Sequence, residues 1–175
     1  KTVTNVVVED TTIVETKDNL SRSKKTPITN FIQVDRRDAK LAMAHMYVAF
    51  ISLLLGGLAG LVQVLVRSGE FTLPAGIKIG YYQVLTVHGI LLGLILTTFF
   101  IMGFQAAAVS RTAGAFTNTQ RKIGWIGFWL MVIGTAAAAV MVLLNEATVL
   151  YTFYAPLQAH WIFYLGLTLV VVGSW

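Results

Sequence analysis

The chain has 175 residues, 56% of them hydrophobic and 12% charged, with 13 Lys and Arg against 8 Asp and Glu, a net charge of +5 and a mean hydropathy of +0.72. This composition argues against a soluble domain, and the absence of cysteine excludes disulfide frameworks, thiolate zinc sites and iron–sulfur clusters. The pI near 9.6 comes with no basic stripe interleaved with aromatics; Lys and Arg flank apolar stretches, so the expected partner is a lipid bilayer and not nucleic acid.

Of the 21 charges, 14 lie in the first 40 residues, so the chain reads as a polar head on a membrane body. Residues 1–34 lack a helical period and are expected to form a mobile or weakly extended arm. They have no basic start followed by a short apolar core, and so do not read as a signal peptide. The first helix is expected to start in Asp35-Arg36-Arg37-Asp38, with Asp35 as cap and the arginines toward lipid headgroups, and to span about 41–66. A connection with Pro74 follows, then Tyr81-Tyr82 as an interfacial pair opening a second span at about 81–110. The loop 110–122 leads to a third span at about 123–145, and the turn NEATVLYTFYAP (145–156) to a fourth at about 157–175. The first three apolar stretches exceed the roughly 20 residues a helix needs to cross hydrocarbon. The fourth is still apolar at Trp175, and the chain opens on Lys1; both ends are expected to be edges of a window on a longer protein. The fold class is therefore all-α, a transmembrane helical bundle occupying 35–175 and truncated at its C-terminus.

Arg36, Arg37, Lys40, Arg111, Arg121 and Lys122 lie on one side of this topology, and Arg67 and Lys78 on the other. Six basic residues against two predict a multi-pass cell-membrane protein with a cytoplasmic N-terminus. Gly56-Gly57-Leu58-Ala59-Gly60 in span one and Gly89 with Gly93 in span two allow close approach of helix backbones or of a flat cofactor.

An imidazole inside a bilayer needs a hydrogen bond or a metal. His45, one turn into span one, and His160, at the start of span four, can be satisfied near the surface and read as structural. His88 in QVLTVHGILLGLILTTFF lies about two turns below the outer surface at 1.5 Å per residue. Gly89 leaves room beside it and Leu91, Leu92 and Leu94 supply a dry wall, the surroundings that a haem-ligating histidine requires. Spacing alone leaves both ligation and a buried hydrogen bond open for His88. Glu146 is the one acidic residue after Glu70, so no carboxylate relay crosses the bilayer, and Glu146 reads as a turn residue.

YYQVLTVHGILLGLILTTFF (81–100), followed by NEATVLYTFYAPLQAHWIFYLG (145–166), resembles the N-terminal part of subunit I of a haem-copper oxygen reductase, particularly the B-type (ba-type) cytochrome c oxidases of bacilli. The resemblance covers about 36–175. It implies four N-terminal spans of a subunit with twelve or more helices, which reduces oxygen to water with electrons from cytochrome c or a similar donor and translocates protons. It implies His88 as an axial ligand of the iron of a low-spin haem b, Gly89 as haem packing, and Tyr151 and Phe153 near the haems or the oxygen path. The high-spin haem and copper would be ligated beyond residue 175, so the 175-residue chain alone is expected to be inactive. Subunit II with its copper centre is the implied partner. The 110–122 loop has no acidic residue, unlike the proton-entry loop of A-type relatives, which favours the B-type. Two other readings stand beside this one: a small tetraspan cytochrome with a haem clamped by His88 and His160, and a non-catalytic membrane assembly protein.

Overall fold

The computed structural model describes residues 34–70, 72, 80–149 and 158–175, within the compact unit Val34–Trp175. The arm expected over 1–34 lies outside the described residues except for Val34. Among the described residues there is no strand; one antiparallel bridge pairs Ala147 with Ala159.

Four helices follow in chain order, and local chemistry sets their ends. Helix α1, Arg36–Ser68, begins at Asp35, whose carboxylate accepts from the Arg37 N–H at 2.7 Å. It ends at Gly69, whose φ of +83° is left-handed and costs a residue without Cβ nothing. Helix α2, Tyr81–Thr112, opens where the Gly80 N–H donates to Gln83 Oε1 at 2.9 Å. It carries a π-helical segment, Leu91–Leu96. Helix α3, Asn118–Leu143, starts five residues before the expected 123 because Thr117 and Gln120 form a reciprocal capping box. It ends in a Schellman turn on Asn145 (φ +67°), with Glu146 N–H on Met141 O and Asn145 N–H on Val142 O.

Helix α4, Trp161–Gly173, is a 13-residue apolar helix, about 20 Å long and shorter than the expected 157–175. Its start is delayed because the backbone before it is held extended: Thr148 N–H donates to Gln158 O at 3.1 Å and His160 N–H to Glu146 O at 2.8 Å. The helices α1, α2 and α3 are each long and apolar enough to cross a membrane.

Helices α1 and α2 pack along each other, as do α3 and α4, around a core that includes Leu41, Ala49, Ile95, Phe99, Met131 and Phe163. Gly134 and Gly166 bring α3 and α4 together: a Cβ on Gly166 would lie 2.5 Å from Gly134 O and 2.9 Å from Ala138 N. The exterior is apolar, with Leu54, Val64, Phe104, Ile126, Trp129 and Trp161 all exposed, a surface that hydrocarbon accepts and water does not.

One polar cluster closes the Asp38 end. Asp38 is fully buried, and its carboxylate accepts from Ser110 Oγ and Phe116 N–H, each at 2.8 Å, and from Arg121 Nε and Nη2, each at 2.8 Å. Arg121 also donates to Phe116 O at 3.0 Å and to Asn118 Oδ1 at 3.3 Å. The start of α1, the end of α2 and the start of α3 thus share one carboxylate.

Candidate functional site

The three histidines occupy three different environments. His45 is buried near the Asp38 end, its Nδ1–H donating to Leu41 O at 2.9 Å and its ring lying 4.9 Å from Phe128 and 5.8 Å from Phe99. It is a hydrogen-bonded packing residue. His160 caps α4: its Nδ1 accepts the Ile162 N–H at 3.3 Å. A neutral ring that accepts at Nδ1 carries its proton on Nε2, which leaves no lone pair free for iron. His160 is therefore poorly suited to clamp a haem opposite His88.

His88 is half-buried, and its ring crosses from α2 to α1, where Nδ1 meets Gly56 O at 2.8 Å. A carbonyl can only accept, so Nδ1 carries the proton and Nε2 keeps its lone pair. Iron-ligating histidines have this arrangement, the second nitrogen fixed on a carbonyl so that tautomer and ring direction are set before the metal arrives. Gly60 makes the crossing possible: a Cβ there would lie 2.7 Å from both Nδ1 and Cε1 of His88. Gly56 does the same one turn away, where a Cβ would lie 2.6 Å from Leu92 Cδ2. The glycines of span one thus serve helix packing and ring placement together.

His88 opens onto a cleft of about 750 Å³ whose walls include Gly89, Leu92 and Gly93 of α2 and Leu167 and Val171 of α4. That size falls in the range of cofactor pockets. Gly93 faces open space, with nothing within 4 Å of where a Cβ would stand. The donor chemistry, the apolar walls and the glycine-lined gap fit a flat, iron-bearing ring held by one imidazole. Among the described residues no group of three or more His, Cys, Asp or Glu could hold a metal ion by itself. Tyr151 and Phe153 lie outside the described residues. Sequence reasoning placed His88 and Gly89 at this site; it missed Gly60 as the residue that admits the ring.

A family model described as "Cytochrome C and Quinol oxidase polypeptide I" matches residues 40–175. Cytochrome c oxidase subunit 1 of Thermus thermophilus is 34% identical over 145 residues, which cover 79% of this chain and 25% of that protein. A solved chain of a heme-copper terminal oxidase dimer, determined by cryo-EM, is 40% identical with a TM-score of 0.72, covering 81% of this chain and 24% of that one. The chain therefore spans about a quarter of the length of these relatives.

Proposed function

The chain belongs to the cytochrome c and quinol oxidase polypeptide I family, and from that premise we propose that it is the N-terminal portion of the catalytic subunit of a terminal respiratory oxidase. This subunit reduces oxygen to water with electrons from cytochrome c and couples the reaction to proton translocation. The observation that carries the reading is the setting of His88: its Nδ1–H crosses to Gly56 O on a neighbouring helix, in the gap left by Gly60, beside a largely apolar cleft, whereas the Nδ1–H of His45 stays on its own helix with the ring against Phe99 and Phe128.

In this proposal His88 is an axial ligand of a low-spin haem b, while the high-spin haem and copper take their ligands from beyond residue 175. The haem, when bound, stores one electron at a time between the donor and the oxygen-reducing centre. His88 would hold the iron through Nε2, with Gly56 O fixing the ring against rotation. Gly89 and Gly93 would leave room for the ring face, and Leu92, Leu167 and Val171 would supply an apolar wall beside the polar groups of Tyr164 and Thr168. Tyr151 and Phe153 are proposed to lie near the haems or along the oxygen path.

The bundle over 35–175, with the helices Arg36–Ser68, Tyr81–Thr112, Asn118–Leu143 and Trp161–Gly173, is proposed to sit in the cell membrane with its N-terminus in the cytoplasm, on the count of six basic residues against two. Subunit II with its copper centre and cytochrome c are the proposed partners. The absence of an acidic residue in the 110–122 loop supports a B-type enzyme, and the resemblance over 81–100 and 145–166 supports a bacillus-like one. The assembled full-length enzyme tests the proposal: it is expected to consume oxygen with reduced cytochrome c, to lose that activity in His88→Ala and to keep it in His160→Ala. Full activity in His88→Ala would overturn the role given to this histidine.

A further inference from the structure

The buried positions of α1 keep a regular helical rhythm. Ala42, His45, Ala49, Ser52 and Gly56 follow one another at three or four residues, and Gln63 comes seven later. The buried positions of α2 do not. Gln83, Thr86 and Ile90 keep the rhythm, the next is Ile95, five residues on, and Phe99 and Gly103 then resume at fours. In an α-helix that five-residue step would carry Ile95 about 140° away from the face of Ile90, at 3.6 residues per turn. The π-helical segment Leu91–Leu96 spans this step and takes up the extra residue in a wider turn.

Both sides of the segment are anchored on α1. Toward the Asp38 end, a Cβ on Gly103 would lie 2.9 Å from Ala42 O and 3.1 Å from the His45 Cβ, and Phe99 packs on the His45 ring. Toward the Tyr81 end, His88 reaches Gly56 O and sits in the gap left by Gly60.

We propose that the π segment Leu91–Leu96 is the positioning element for His88: by absorbing the fifth residue between Ile90 and Ile95 it keeps the imidazole facing Gly56 and Gly60 while Phe99 and Gly103 keep their seats. The proposal rests on the reading of His88 as a haem ligand. It makes the phase of the two helix halves, more than side-chain identity within the segment, the determinant of the ring's direction. Removing one residue converts the segment to α-helix and leaves a four-residue step from Ile90 to Ile95, which keeps the His88 half in phase with the Phe99 half, whereas adding one residue turns the halves by about 100° relative to each other.

The test uses the full-length assembled enzyme and the low-spin haem spectrum with its midpoint potential. Deletion of Leu94 is expected to retain the low-spin signal, as is Leu94→Ala, whereas insertion of one alanine after Leu94 is expected to abolish or shift it. Loss of the signal in the deletion variant, failure to assemble included where Leu94→Ala assembles, overturns the proposal, as does a parental signal and potential in the insertion variant. If the insertion variant does not assemble, the deletion variant decides. His88→Ala, measured alongside, separates the two claims. If it keeps the low-spin signal, the ligand reading fails. If it loses the signal while the deletion variant loses it too or the insertion variant keeps it, only the positioning role fails.

Discussion

Asp38 and Arg121, 83 residues apart in sequence, meet through two contacts of 2.8 Å on one buried carboxylate oxygen. The other oxygen accepts from Ser110 and from the Phe116 N–H, so three helix ends depend on one charge. Removing one partner of a buried, hydrogen-bonded ion pair leaves the other uncompensated, at a cost of about 3–5 kcal/mol. Asp38→Ala is expected to lower the thermal stability of the solubilised enzyme by that order, and Asp35→Ala, at an exposed cap, by only about 0.5–2 kcal/mol. Equal, small losses in both would contradict the clamp.

The glycines of α1 give a second expectation. Gly60→Ala places a methyl group 2.7 Å from the His88 ring, whereas Gly57→Ala meets nothing within 4 Å. The low-spin spectrum is expected to change in Gly60→Ala and to remain parental in Gly57→Ala. Identical spectra in both variants would show that the ring does not depend on that gap.

A third expectation concerns α3 and α4. An alanine at Gly166 brings its Cβ to 2.5 Å from a backbone oxygen, which cannot yield as a flexible side chain would. Overpacking of this kind costs about 1–3 kcal/mol. Gly166→Ala is expected to lower the unfolding temperature of the assembled enzyme; an unchanged value would mean that the helices separate without penalty.

The orientation is tested by single cysteines in a chain that has none of its own. Ala115 lies in the turn between α2 and α3, Glu146 lies just past α3, and both are exposed. A membrane-impermeant reagent added outside intact cells is expected to label Glu146→Cys and spare Ala115→Cys. The reverse pattern would invert the topology.

Much of the fold was legible in the sequence because a bilayer imposes it. Charge-free stretches marked the long helices, Asp35 announced its own cap, and Tyr81 opened α2 where the aromatic pair stands. The start of α3 was also written, as Thr117 followed three residues later by Gln120, a capping signal passed over in favour of the basic residues near it. Gly127, Gly134, Gly166 and Gly173, paired at spacings of seven, marked the α3–α4 contact in the same way. The Asp38–Arg121 pair was not legible, since each residue alone looks like a headgroup charge and only folding joins them. The π segment leaves one trace, the five-residue gap between Ile90 and Ile95, visible only once burial is known. At the site, His88 stood out because an intramembrane imidazole demands a partner, but the partner turned out to be a backbone carbonyl, which has no sequence signature.

The central claim is that His88 Nε2 binds the iron of a low-spin haem. The most direct measurement is the low-spin haem spectrum of the full-length, assembled His88→Ala enzyme, with His45→Ala and His160→Ala beside it. The account predicts loss of the low-spin signal in His88→Ala alone and its retention in the other two. A parental low-spin spectrum in folded His88→Ala enzyme would contradict the account and leave His88 a histidine that only tethers α2 to Gly56 O.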